Sequence, residues 1–410
     1  MNIAANHGAE MKITDVKYAV IGDHPVIRIT TDEGIDGIGG AESPRNQVFF
    51  RHQIEYYKNM IVGLDPTDVE RVLLRIRRVG GFKPWGSGVS AIEIALWDIA
   101  GKALGAPVYK LLGGKIRDRV RVYNGNIRTP LEGYQPEDFA ANMKWMKELP
   151  QNFSIIKQGI AFHGSPMLKD MPGFYYGDYV EADKYGNRGV LTEKGFNITV
   201  EAVIAMKEVL GDEVGLALDC GPGLTASDTL RLAQTLEPYH LMWMEDTITG
   251  DYTPYVHPDY FLQVTPYTST PIHTGEQVYL RHGFKELVEL HAVDVLGPDP
   301  MDVGGISELK WIAEFADLHN IQMAPHGTVD GLIGLAAHVH VGAAMPDNFI
   351  AFELPHGKPN WWYDILEGMD AYEVKDSHIT VNDTPGLGIA FRVDEAKQYL
   401  KEEDAGFFDD

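Results

Sequence analysis

The sequence predicts an α/β protein in which a closed parallel barrel follows a smaller α+β unit. Three observations carry the prediction. Eight short apolar runs, at 121–126, 153–160, 214–219, 241–245, 272–276, 293–299, 322–326 and 349–353, alternate with helical stretches, the pattern of a parallel strand–helix barrel. The last five intervals between the polar residues that end these runs are 26, 31, 23, 27 and 27, close to the roughly 30 residues of one strand–helix unit. The first 114 residues have a different texture, three strands and then helices. A length of 410 residues gives room for two or three domains of about 150.

In chain order, the runs at 12–19, 26–31 and 37–40 read as short strands joined by Asp23-His24-Pro25 and Asp32-Glu33-Gly34, an antiparallel meander. From 45 to about 78 the apolar residues recur at helical intervals, and a Gly-rich break follows at 80–88. A helix is then expected from Ser90, with Ser90 and Glu93 as a capping box. Its run of Ala91, Ile92, Ile94, Ala95, Leu96, Trp97, Ile99 and Ala100 is apolar nearly all round, so it should be buried. Within the barrel half, the interval from Lys157 to Asp219 is about twice the others. It contains a Gly, Tyr and Pro-rich segment at 162–196 that reads as an inserted loop over the barrel mouth.

Composition narrows the function. With 35 Lys plus Arg against 59 Asp plus Glu, the formal charge is −24, and no basic block is present to track a phosphate backbone. Nucleic acid is therefore not expected as a partner. No stretch approaches the ~20 apolar residues of a membrane span, and MNIAANHGAEMK has no signal-peptide pattern, so no membrane association and a cytoplasmic location are expected. The single cysteine, Cys220, follows Asp219 and should point to the opposite side of the strand as a core thiol. So acidic a surface repels small anions, so an anionic substrate needs local compensation, for which a bound cation is one device.

The strand ends are the informative feature. Successive runs finish in Asp219, Glu245, Glu276, Asp299, His326 and Glu353. In a parallel barrel all strand C-termini point to one face, so these six side chains converge on one mouth. One such acid alone is more often a helix cap. Six in successive units are not explained by capping, and clustered carboxylates repel without a cation. Asp219, Glu245 and Glu276 offer hard oxygen ligands suited to Mg²⁺, or Mn²⁺ in its place, rather than zinc. Asp299 and His326 sit on neighbouring strand ends, where the carboxylate can fix the imidazole tautomer, making His326 a candidate general base. Asp246 is expected to face away from Glu245, as a structural acid or a cap.

With LGPDPMDVGG around Asp299, MAPHG around His326, FELP around Glu353 and GEQVY around Glu276, the chain resembles the mandelate racemase branch of the enolase superfamily along essentially its whole length, and within it the acid-sugar (galactonate-type) dehydratases. The resemblance implies a modified (β/α)7β TIM barrel spanning 119–354. It also implies an α+β capping domain from 1–118, completed by 355–410. One Mg²⁺ at the three carboxylates, a homo-oligomer (dimer or octamer) and abstraction of a proton next to a carboxylate are implied too; sites of this kind pair a Lys or His base with Mg²⁺ on an ene-diolate. Glu353 is then a hydrogen-bond donor to the intermediate, and Lys157 a group that holds the substrate carboxylate or tunes the pocket.

The departures from the family pattern bear on the reaction. Many relatives carry Lys-X-Lys on the second barrel strand; here Lys157 is present and Gly159 replaces the second lysine, which weakens a two-base racemase. Gly221 stands where some galactonate and mannonate dehydratases have a histidine. β-Elimination of water can proceed from one face with one base, so the expected reaction is dehydration of an aldonic or aldaric acid to a 2-keto-3-deoxy acid. An epimerase, racemase or cycloisomerase using the same enolate is the alternative, and a non-catalytic relative is disfavoured by the six intact strand-end groups. Substrate contacts are expected from Lys83 and Trp85 in the 80–87 loop. His163, with Tyr175, Tyr176 and Tyr179, is expected to line a polar pocket.

Overall fold

A computed structural model describes residues 11–22, 24–41, 47–79, 86–160, 171–176, 189–221, 223–248, 256–327, 331–355 and 361–409. Lys83, Trp85, His163 and Tyr179 lie outside the described residues. The N-terminal meander forms as expected: β1 (Ile13–Ile21), β2 (His24–Thr31) and β3 (Asp36–Gly40) pair antiparallel in that order. Helices Gln47–Ile61 and Ser87–Leu104 pack against this sheet, and Val69–Val79 packs against those two helices. Ser87–Leu104 approaches so closely that a Cβ on Gly37 or Gly39 would sit 2.1 or 2.0 Å from a carbonyl oxygen of that helix. Glycine is what lets helix and strand meet there.

Helix Ser87–Leu104 is buried on most of its surface, as its composition requires, but the Ser90–Glu93 capping box does not form. Gly86 is the N-cap, without a side-chain bond. The Ser90 hydroxyl donates to the Gly86 carbonyl at 3.2 Å and accepts from the Gly304 amide at 3.0 Å. Glu93 reaches the barrel instead. The capping pattern is local, but both side chains lie inside a joint between two parts of the chain, where tertiary donors win over the helix's own amides.

The barrel strands are β4 (Arg119–Tyr123), β5 (Ile155–Gly159), β8 (Gly215–Asp219), β9 (Trp243–Glu245), β10 (Ile272–Thr274), β11 (Val295–Leu296), β12 (Gln322–Met323) and β13 (Phe352–Glu353). A small antiparallel pair, β6 (Tyr175–Tyr176) with β7 (Val190–Leu191), lies in the insertion between β5 and β8. The strands β5, β8, β9, β10, β11 and β12 pair in parallel in that order. Parallel bridges Asn124 to Ile156 and Met323 to Phe349, with the β13–β4 pair, close the ring. Helices Pro136–Lys147, Glu193–Leu210, Ala226–Leu236, Pro258–Phe261, Leu280–Glu289, Ile306–Asp317 and Gly331–Ala344 fill the seven crossovers. The fold is the modified (β/α)7β TIM barrel with an α+β cap.

Beyond β13 the C-terminal segment serves both parts. Val374–Lys375 and His378–Thr380 form a hairpin that pairs with β4, while Leu400 bridges to Ile21 of β1. Asp404, with its side chain fully buried, accepts from the Val20 amide at 3.0 Å and pairs with Arg51 at 2.5 Å. No described helix is long and apolar enough to cross a membrane.

Candidate active site

Side-chain alternation builds the site. An inner layer of the barrel holds Tyr123, Ile155, Ala217, Trp243, Val295, Ala324 and Ala351, while Ile156, Leu216, Leu218 and Met244 face outward into the main core. With a period of two, the residue two places after each inner one faces the same lumen, nearer the mouth. Those positions are Gly125, Lys157, Asp219, Glu245, Gly297, His326 and Glu353, five of them side chains that carry charge or titrate. Cys220, one place out of phase, is buried in the outer core.

Lys157 sits at the centre, its Nζ 2.7 Å from Glu245 Oε1, 3.3 Å from Glu353 Oε2 and 3.9 Å from Asp219 Oδ2. Burial alone would lower its pKa, but Glu245, Glu353, Tyr123 and Asp219 outweigh that and hold the ammonium well above its ordinary value. Glu245 is anchored from below, since Trp243 Nε1 donates to its Oε2 at 3.0 Å.

His326 Nδ1 lies 2.8 Å from Asp299 Oδ2. The carboxylate accepts, so Nδ1 carries the proton and Nε2 is the ring atom aimed at the lumen. Nε2 is 3.2 Å from Glu276 Oε2 and 3.6 Å from Glu353 Oε2. Burial opposes charging the imidazole, yet Glu276, Asp299 and Glu353 together hold its pKa well above the ordinary value. The carboxylate with the largest pull, Glu276, is one that a bound cation would neutralise.

Glu245, Asp246 and Glu276 each offer an oxygen, all within 4.8 Å of one another. Hard oxygens at this spacing fit a divalent cation of the Mg²⁺ type. Asp246 was expected to face away; the alternation fails at the strand end because its φ is +47°, turning the backbone so that consecutive acids share one pocket. Its Oδ1 accepts from Thr274 Oγ1 at 2.5 Å. The run Glu245-Asp246 held this signal, since two acids closing one strand leave the second at the turn. Asp219 stands outside that trio, next to Lys157, with Gly221 N donating to its Oδ1 at 3.3 Å. Of the expected insertion residues, Tyr176 is exposed.

Residues 9–113 match the family model for the mandelate racemase/muconate lactonizing enzyme N-terminal domain, and residues 181–396 match that for the enolase C-terminal domain-like family. The chain belongs to the mandelate racemase/muconate lactonizing enzyme family of the enolase superfamily. It is 32% identical to D-xylonate dehydratase of Haloferax volcanii, over 96% of this chain and 90% of that one. With a D-galactonate dehydratase family member of Cellvibrio japonicus, RspA, it shares 28% identity over 95% of each chain. A mandelate racemase/muconate lactonizing enzyme-like protein from Rubrobacter xylanophilus superposes with a TM-score of 0.83 at 29% identity, covering 96% of this chain and 99% of that one. The protein is an enzyme of the hydro-lyase class.

Proposed function

We propose that the chain is a Mg²⁺-dependent dehydratase of an aldonic or aldaric acid, yielding a 2-keto-3-deoxy acid. The observation that carries the reading is the imidazole of His326, oriented by Asp299 at 2.8 Å, with its Nε2 directed at the acidic cluster. Glu245 and Glu276 would hold the cation, with Asp219 or Asp246 as third carboxylate. A cation there supplies positive charge that offsets the carboxylates and the charge developing on the substrate's carboxylate oxygens. Lys157 adds a fixed positive charge beside the same oxygens. His326 Nε2 takes the α-proton, and the electron pair of that C–H bond moves toward the carboxylate to give an ene-diolate. Glu353, when protonated, donates a hydrogen bond to it. The β-hydroxyl then leaves as water with the proton returned by His326, and the enol becomes the keto acid.

The test is incubation of the protein with Mg²⁺ and a panel of aldonic and aldaric acids in deuterated buffer. A 2-keto-3-deoxy acid is expected from at least one of them. Recovered substrate carrying deuterium at an inverted α-carbon would assign an epimerase instead, and neither product nor exchange across the panel would overturn the enzymatic reading.

A further inference from the structure

The two residues set aside from their expected capping box point to a coupling between cap and base. Glu93, fully buried on the cap helix Ser87–Leu104, turns its carboxylate onto the first turn of the barrel helix Ile306–Asp317. Its Oε2 accepts from the Ile306 amide at 2.7 Å, and its Oε1 from the Ser307 amide at 2.8 Å and the Ser307 hydroxyl at 2.6 Å. Trp97 Nε1 donates to Oε1 at 2.7 Å from the cap side. That helix has no cap of its own, because its N-cap is Gly305. An acid from elsewhere therefore does the work of an N-cap, aided by the helix dipole.

Immediately upstream is the turn that carries Asp299. The Met301 amide donates to Asp299 Oδ1 at 2.7 Å, and the Val303 amide to the Asp299 carbonyl at 2.7 Å. Ser90 and Ser87 of the cap helix bond the same turn, at the Gly304 amide and at Asp302. Gly304 and Gly305 have φ of +119° and +102°, values that side chains avoid. A Cβ on Gly305 would also lie 2.0 Å from Glu93 Oε2. Both ends of the turn are thus fixed, one by the imidazole of His326 and the other by the cap.

We infer that Glu93 is a positioning residue: by capping helix Ile306–Asp317 across the cap–barrel joint, it sets the turn that aims Asp299 at His326. The inference rests on the proposed role of His326, but its first readout does not require turnover. A Nδ1 proton held by Asp299 gives a downfield proton resonance, assigned by its loss in His326→Gln. Glu93→Gln, which sets an amide donor against backbone donors, should shift or abolish that resonance. In the active enzyme it should lower kcat by about 100-fold with little change in KM.

The control is Asp98→Asn. Asp98 is a buried carboxylate on the same helix, accepting from the Ile38 and Leu387 amides at 3.1 and 2.9 Å, and those bonds lead away from Asp299. It should lose thermal stability yet keep the resonance and kcat. A Glu93→Gln protein that loses stability as Asp98→Asn does, with resonance and kcat unchanged, overturns the inference. If Glu93→Gln does not fold, Ser307→Ala is read by the same criteria. A wild type that dehydrates no acid overturns the functional reading alone, since the resonance still decides the role of Glu93.

Discussion

The buried carboxylates at the mouth of the barrel and those at the joint between barrel and cap are treated differently. At the joint each one is surrounded by donors. Glu93 takes bonds from Ser307, Ile306 and Trp97, and Glu308 takes Arg77 at 3.0 Å and the Arg281 amide and guanidinium at 2.8 to 3.0 Å. At the mouth, Glu245 takes Lys157 and Trp243 and Asp246 takes Thr274, yet the carboxylates also face one another, with Glu245, Asp246 and Glu276 bringing oxygens within 4.8 Å. Burial pushes the Glu93 carboxyl up to about 7 even with its donors pulling down, which shows how costly a buried acid is. Donors offset much of the cost of burying the joint acids, whereas acids gathered against each other persist where a cation is to be held.

The widest separation between the two regions is expected from the base. His326→Asn should lower kcat by at least ~10³-fold while calorimetry with Mn²⁺ shows unchanged cation affinity; near-normal turnover would remove His326 from the mechanism. The cation comes next. Mg²⁺ at 100 times its dissociation constant should raise unfolding free energy by about 2.7 kcal/mol, read as an upward shift in Tm. Glu245→Gln or Glu276→Gln should erase that shift. Asp219→Asn and Asp246→Asn, compared in the same titration, identify the third ligand: the one whose loss weakens binding holds the metal.

Much of the mouth was legible in the sequence because strand geometry is periodic. Once a barrel is inferred, the residues ending its strands must share a face, which brings Glu245, Glu276, Asp299, His326 and Glu353 together without any loop being known. Two things were not legible. Asp246 required a backbone turn of +47° that overrides the strand's alternation. Glu93 required knowing that the cap helix lies against the barrel helix that starts at Ile306, a long-range packing fact that the local Ser90–Glu93 spacing imitates as a capping box. The chain-end junction at Asp404 is likewise non-local, uniting residues nearly 400 positions apart.

That junction provides the opposite case to His326. Asp404→Ala strands the Val20 amide and Arg51, and should cost about 3 kcal/mol in denaturant unfolding while kcat stays at the wild-type value. A fall in kcat at temperatures where the variant remains folded would show that cap docking, rather than stability alone, passes through the chain termini.

The smallest expected effect concerns neutral groups buried in the frame of the barrel. His340 lies in helix Gly331–Ala344, its Nδ1 accepting from the Tyr109 amide at 3.4 Å and its Nε2 facing the Tyr372 hydroxyl at 3.3 Å. Because Nδ1 accepts, Nε2 carries the proton, and protonating Nδ1 would break the bond to Tyr109. Burial pushes its pKa down to about 4, and His338 on the same helix is likewise pushed down to about 4. The unfolded chain titrates near 6.5, so between these values it binds more protons than the folded one. The contribution of these two histidines to stability is therefore full above about pH 6.5 and falls as pH drops toward 4, by about 2 kcal/mol per histidine from pH 7 to pH 5. Urea unfolding at a series of pH values reads this directly. His340→Gln should remove about 2 kcal/mol of the change between pH 7 and pH 5, and an unchanged pH dependence would mean that this imidazole is charged in the fold, against its burial.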